Sequence, residues 1–414
     1  VNAIENDTAI DAFLEPALLS LEKAASRDCP RISDRDFLRA AIRRVLEKTD
    51  SGRDFIQRCV EVESIPYTVS NYFEGLKSKR RAAMLAEVCR LVCEMEIDAD
   101  DPLSSIAELE GRPVWAADGH MIEHACHAPS DWRGKSYATN VIYGIDLRTD
   151  MAKPLCLAGN SSKKEHEVKA FKRERDAFIK PASKPIWVLD PAYVDNYFWL
   201  RQKMVNGVYF VTRMKRNMKP ISRIAVAFDA SDPINRGVLE DLRIGVDNVG
   251  MMRLVRYEDQ ASGSIHQFLT SEMTLRPGVV AYLYQLRWRI EKTFDTFENS
   301  LGESKSWANS DNARIIQSLA ICLTHNLMTL FQDSLKRDKD LSDSKLLKKK
   351  RAAVEATKEM AKQRGRDLPP LVGRLLKPSQ ISLQFIRWLR NQWTIKDPYD
   401  TAIERLRPLM DAYL

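Results

Sequence analysis

One short segment of this chain makes polar and apolar demands side by side, and few folds satisfy both. Residues 284–291 read Tyr-Gln-Leu-Arg-Trp-Arg-Ile-Glu. At about 100° per residue, Tyr284, Arg287 and Glu291 fall on one narrow helical stripe. Leu286, Ile290, Phe294, Phe297 and Leu301 form a second stripe beside it. The spacing predicts a helix beginning at Tyr284 that docks by its apolar stripe and carries Glu291 toward a site. Upstream, Asp118 and Asp190 each close a short apolar run, so each carboxylate is expected at the end of a strand, on the edge where ligands of α/β proteins bind.

The surrounding pattern gives those elements a setting. Residues 1–108 read as helices only. Ser33 and Asp36 form a capping-box-like start, followed by Phe37, Leu38, Ala41, Ile42, Val45 and Leu46 at helical spacing. A break at Ile65-Pro66, a short helix from Thr68 or Ser70 and the basic cluster Lys77, Lys79, Arg80 and Arg81 are compatible with a helix-turn-helix DNA reader. Strands are predicted at 113–118, 137–146 and 154–157, then a charged helix at 163–179, a strand at 185–190, a helix at 193–205 and a strand at 208–212. That order is a mixed α/β core. Residues 221–280 return to strands (224–228, 251–256 and 265–269), a β-rich insertion before the helix of Glu291. Ser310 or Asp311 caps a long apolar helix expected to be buried against the sheet. A last helical stretch covers 381–389. The expected division is 1–108 as a helical DNA-binding region, 109–335 as the catalytic core containing the insertion, and 336–414 as a basic helical region.

A chain of 414 residues exceeds one compact core, so two or three units are expected. No uninterrupted apolar run reaches the roughly 18 residues of a membrane span, and the acidic, amphipathic start is unlike a secretory leader. The expectation is a cytoplasmic protein with no membrane partner. Seven scattered cysteines without a Cys-x2-Cys pair read as reduced thiols. The net charge of +7 is unevenly placed. Residues 336–366 carry twelve Lys or Arg against five Asp or Glu, as a segment that tracks phosphates or a solvated helical face would.

If Asp118 and Asp190 end neighbouring strands, Glu291 from a packed helix supplies a third carboxylate. Three like charges at close range raise one another's pKa, and divalent cations relieve them. Hard oxygen ligands suit Mg²⁺ or Mn²⁺. Two such ions can activate a water or a 3′-hydroxyl and stabilise the leaving oxygen of a phosphodiester.

The order of elements resembles an RNase H-like core. The motifs resemble the DDE transposases of bacterial insertion sequences, in the branch with a Tyr-x2-Arg-x3-Glu-x6-Lys signature. Asp118 in Ala-Asp-Gly-His matches the first family aspartate. Asp190 in Val-Leu-Asp-Pro-Ala-Tyr matches the second, and Tyr284, Arg287 and Glu291 match the signature helix. The resemblance spans about residues 110–335. It implies DNA cleavage and strand transfer at element ends, with two Mg²⁺ or Mn²⁺ ions held by Asp118, Asp190 and Glu291. Tyr284 and Arg287, and more weakly Arg213, are then expected on DNA phosphates. It further implies terminal inverted repeats and target DNA as partners, and a homodimer that brings two ends together.

The sequence departs from the family at three points. Glu298 stands where the signature has lysine, His120 stands where Ser or Thr is common, and no tryptophan lies between Trp199 and Trp288 to stack on a flipped base. A catalytically inactive, transposase-derived DNA-binding protein is therefore a second reading. A third comes from His120-x2-Glu123-His124, which fits an inverted zinc-peptidase motif if the segment is helical.

Overall fold

The computed structural model describes residues 8–24, 27, 31–48, 51–63, 68–97, 101–122, 139–159, 165–174, 183–246, 250–302, 305–371 and 381–411. The chain opens with helices α1 (Ala9–Lys23), α2 (Asp34–Glu47), α3 (Gly52–Glu63), α4 (Val69–Leu76) and α5 (Lys79–Cys93). Each start follows from a hydroxyl in the right place. The Ser33, Thr68 and Ser78 side chains accept from the N–H groups of Asp36, Asn71 and Arg81, so α2, α4 and α5 begin where these caps fall. The basic cluster before and within α5 is not all outward. Two Arg80 nitrogens donate to the Asp34 carboxylate at 2.7 Å each, and buried Arg81 donates to Asp34 and to the Ile32 carbonyl. Lys77 and Lys79 alone of the four remain exposed, and Lys77 pairs with Glu74. Of these four basic residues, Arg80 and Arg81 are drawn inward by Asp34, which is far off in sequence.

The middle of the chain builds one sheet. Its strands are β1 (Val114–Ile122), β2 (Thr139–Asp146), β3 (Ala152–Ala158), β4 (Ile186–Leu189), β5 (Tyr209–Arg213), β6 (Ser222–Ala225), β7 (Val238–Val246), β8 (Gly250–Glu258) and β9 (Ile265–Thr270). The order across the sheet is β3-β2-β1-β4-β5-β9-β8-β7-β6. β4 runs parallel to β1 and β5, and every other neighbouring pair is antiparallel. This is the mixed sheet of an RNase H-like core. The β-rich insertion continues that sheet through the β5–β9 pair instead of forming a second one.

Side-chain alternation splits the core into two layers. Val114, Ala116, Ile186 and Val188 face one cluster, shared with the N-terminal helices and the helices after the sheet. Trp115, Ala117, Trp187 and Leu189 face the other, against α6 (Glu167–Glu174) and α7 (Asn196–Asn206), which contribute Phe171 and Trp199.

Two helices stand where one was expected to begin at Tyr284. They are α8 (Pro277–Leu286) and α9 (Trp288–Ser300), joined at Arg287. Arg287 keeps right-handed helical angles, but its N–H reaches back to Tyr284 and its carbonyl accepts from Ile290, both three-residue bonds. That tighter turn interrupts the ladder without turning the chain away. Helix α10 (Asp311–Lys339) is capped by Ser310 and packs on α5, β3 and α2. By length and composition α10 could cross a membrane, yet 78% of its most apolar window is buried inside the protein, as a core helix requires. Helices α11 (Ser344–Gln363), α12 (Leu383–Ile395) and α13 (Tyr399–Asp411) follow, and a bridge from Thr8 to Pro398 ties the two ends of the described chain together.

Candidate active site

The site lies where β4 stops. β1 and β4 pair from Val114↔Ile186 to Ala117↔Leu189, and no pair follows. β1 itself continues to Ile122 against β2. Asp118 therefore sits within a strand and not at its end, because pairing with β2 holds the polar residues 118–121 extended. What ends is the neighbour, and its end opens a crevice beside Asp118. Asp190 follows β4 directly and turns the chain into a short 3-10 turn over Pro191–Tyr193, accepting the Ala192 N–H at 2.9 Å.

Glu291 arrives from the first turn of α9, and Arg287 connects it to β1. The Arg287 guanidinium donates to Glu291 Oε1 at 2.7 Å and stands 3.6 Å from Asp118 Oδ2. The Arg287 side chain is 8% exposed, against 24% for Asp118 and 34% for Glu291. Its guanidinium also lies 5.6 Å from the centre of the Tyr284 ring. Tyr284 is buried against Phe268, and that burial raises the pKa of its hydroxyl. Arg213, exposed at the end of β5, lies close enough to oppose this rise. Glu298 is exposed farther along α9, where its charge faces His120 and not Asp118.

The electrostatics of Asp118 mark it as unusual. Its pKa is raised to about 6: burial pushes it up most, the Gly119 N–H and Arg287 pull it down, and the charges of Asp190 and Glu167 push it up. Among the described residues no three His, Cys, Asp or Glu side chains are gathered tightly enough to enclose one ion. The Arg287 guanidinium is the positive charge between Asp118 and Glu291 instead. The donor set still fits a hard divalent cation in kind, since carboxylate oxygens dominate it and the buried Asn140 Oδ1 has no hydrogen-bond partner among the described residues.

Three residues that sequence reasoning did not single out belong to this crevice: Glu167 at the start of α6, Asn140 of β2 and Tyr193. Glu167 accepts from Asn140, and the Tyr193 hydroxyl donates to it at 3.4 Å. An acid in the first turn of the helix after the third strand was the one sequence signal available. Asp195, which lies within the helix expected at 193–205, instead caps α7 at Phe198 and pairs with Lys172.

The zinc-peptidase reading needs a helix through His120, and the structure gives a strand there. The His120 ring packs on Phe294, 4.9 Å between centres. Glu123 and His124 lie outside the described residues.

Comparison with known families agrees with this geometry. No curated protein matches the chain. The family model of the transposase DDE domain matches residues 110–327, from just before β1 into α10, and so includes the sheet, Asp118, Asp190 and the α8–α9 pair. With more than half of its length matched, the chain belongs to the DDE transposase family.

Proposed function

We propose that this transposase cuts DNA at the ends of an insertion sequence and joins the freed 3′ ends to a target. Asp118, Asp190 and Glu291 are its catalytic carboxylates, and Mg²⁺ or Mn²⁺ is its cofactor, in a two-ion site. The observation that carries the reading is the Arg287 bridge, which ties Asp118 on β1 to Glu291 on α9, with Asp190 close enough to act on Asp118.

Divalent ions held by these oxygens supply Lewis acidity, which lowers the pKa of an attacking hydroxyl and neutralises the leaving oxygen. The protein's own groups do the rest. Arg287 is a planar donor on two carboxylates, and a phosphodiester presents the same paired oxygens, so the guanidinium moves from Glu291 to the phosphate when DNA enters. Tyr284 holds that guanidinium by its ring. Arg213, exposed at the sheet edge, contacts phosphate beyond the cut. Residues 1–108 bind the terminal inverted repeats, and the exposed basic face of α11 follows the backbone of flanking DNA by counterion release. Two protomers bring two ends together.

The test is incubation of the purified full chain with DNA bearing its own flanking ends, with and without Mg²⁺. Strand cleavage that needs Mg²⁺ and falls on the order of a thousandfold in Asp118→Asn is expected. Cleavage at the unaltered rate by that variant overturns the assignment. Salt-sensitive binding without Mg²⁺-dependent nicking in the unaltered chain would favour the inactive DNA-binding reading, which Glu298 at the signature lysine position also allows.

A further inference from the structure

Two faces of the sheet meet at the open edge of β1. Asp118 points to the α9 side, in register with Ala116, and Gly119 belongs to the side of Ala117, which α6 covers. Past Leu189 no strand among the described residues separates these sides, so groups from either one reach the same crevice. From the α9 side come Arg287 and Glu291. From the α6 side comes Glu167.

Glu167 enters because residue 119 has no side chain. A Cβ built there would stand 2.8 Å from the Glu167 carboxyl carbon, from its Oε2 and from Asn140 Oδ1. Any other residue at 119 would push the carboxylate out of the crevice. Glu167 is therefore laid against the backbone beside Asp118, and its charge is among those that act on Asp118. Among the described residues its oxygens accept from the Asn140 amide and the distant Tyr193 hydroxyl, so the carboxylate keeps acceptor capacity. A partly buried carboxylate beside another, with no cation paired to it among the described residues, is costly unless something positive joins them. Asn140 Oδ1, without a partner among the described residues and at the same spot, makes the same demand.

From this juxtaposition we infer that Glu167 is a further carboxylate of the active site, supplying an oxygen to the divalent cation that Asp118 holds. The inference rests on the proposed role of Asp118. It gives the site a ligand from each face of the sheet, with Gly119 as the gap that admits one of them. It also accounts for the lack of a gathered trio among Asp118, Asp190 and Glu291 while Arg287 sits between them: the oxygens that meet Gly119 on the far side of β1 belong to Glu167 and Asn140.

The measurement is Mn²⁺ binding to the metal-free full chain, followed by the loss of the free Mn²⁺ electron paramagnetic resonance signal. Glu174→Gln, on the same helix but paired at the surface with Arg173, serves as the control. Glu167→Gln keeps the shape and loses the charge, and it is expected to weaken Mn²⁺ binding at least about tenfold, with Glu174→Gln unchanged. Asp118→Asn separates the two ideas. If it weakens binding while Glu167→Gln stays within about twofold of the parent, the role of Glu167 is overturned and that of Asp118 stands. If neither variant alters binding, the reading of Asp118 fails and takes this inference with it. Should Glu167→Gln fail to fold, Glu167→Asp carries the test, since it keeps the charge but withdraws it by one methylene. Weaker Mn²⁺ binding by that variant supports the assignment, and unchanged binding overturns it.

Discussion

Two aspartates in this molecule face arginines, and their pKa values move in opposite directions. Asp34, almost fully buried, is lowered: burial raises it, but the two-pronged Arg80 contact, the Arg27 N–H and Arg81 more than compensate. Asp118 is more exposed and yet is raised to about 6. Burial pushes both up, and partner geometry decides the sign, because Arg287 spends its close contact on Glu291 and stands 3.6 Å from Asp118, while Asp190 and Glu167 add like charge. Asp34 is an acid whose charge has been settled within the protein, and it fastens α2 to α5. Asp118 is an acid whose charge has been left for something else to settle.

The sharpest way to break that contrast is to delete each charge. Asp34→Ala strands two arginines, one of them buried, and is expected to cost about 3–5 kcal/mol in urea unfolding. A cost below about 1 kcal/mol would mean that the Arg80 and Arg81 contacts do not hold α2 against α5. Asp118→Asn has the opposite sign. A carboxyl held near 6 in the fold against an ordinary 3.8 penalises the folded state at neutral pH, so the metal-free variant should gain about 2 kcal/mol while DNA cleavage is lost. Loss of stability in that variant would show that Asp118 is as well settled as Asp34.

The pH dependence sharpens the same point. Because the folded-state pKa of Asp118 is raised, its contribution to stability is largest at low pH and is lost as pH rises through about 6. His325 works against it in the same window. Burial holds its imidazole neutral against the opposing pull of the Asp150 carbonyl, so its contribution is present above the ordinary 6.5 and is lost as pH falls below it toward the lowered folded value. The difference between the parent and Asp118→Asn cancels the histidine. That difference should shrink between pH 7 and 5 in denaturant titrations, and a carboxyl carbon titrating near 6 should vanish from the NMR spectrum of the variant.

The contrast also explains what could be read from sequence. Local rules reached the Ser33 cap of α2, the apolar runs of β4 and β5, and the shared helical stripe of Arg287 and Glu291, which needs only a helix. They failed where the deciding partner is remote. Residues 118–121 look like a turn, and pairing with β2 makes them strand. β7 carries Glu240, Asp241 and Arg243, which blur its alternation, and Asp241 is tolerated in the core because Arg253 meets it with two bonds. No Gly or Pro marks the interruption at Arg287. Glu167 could be singled out only by knowing that Gly119, in a different element, leaves it room.

The smallest expected effect separates two tryptophans that also face arginines. Trp307 is 8% exposed and lies 4.6 Å from the Arg44 guanidinium, joining the N-terminal helices to the segment before α10. Trp288 is 59% exposed beside Arg287, 5.9 Å from ring centre to guanidinium. Removing the buried ring opens a cavity, and Trp307→Ala is expected to cost about 3–5 kcal/mol. Removing the exposed ring forfeits one surface cation–π contact, so Trp288→Ala should change stability by about 0.5 kcal/mol. If Trp288→Ala costs more than about 2 kcal/mol in the same unfolding assay, the ring is holding Arg287 in place, and the guanidinium is not free to leave Glu291 for a phosphate.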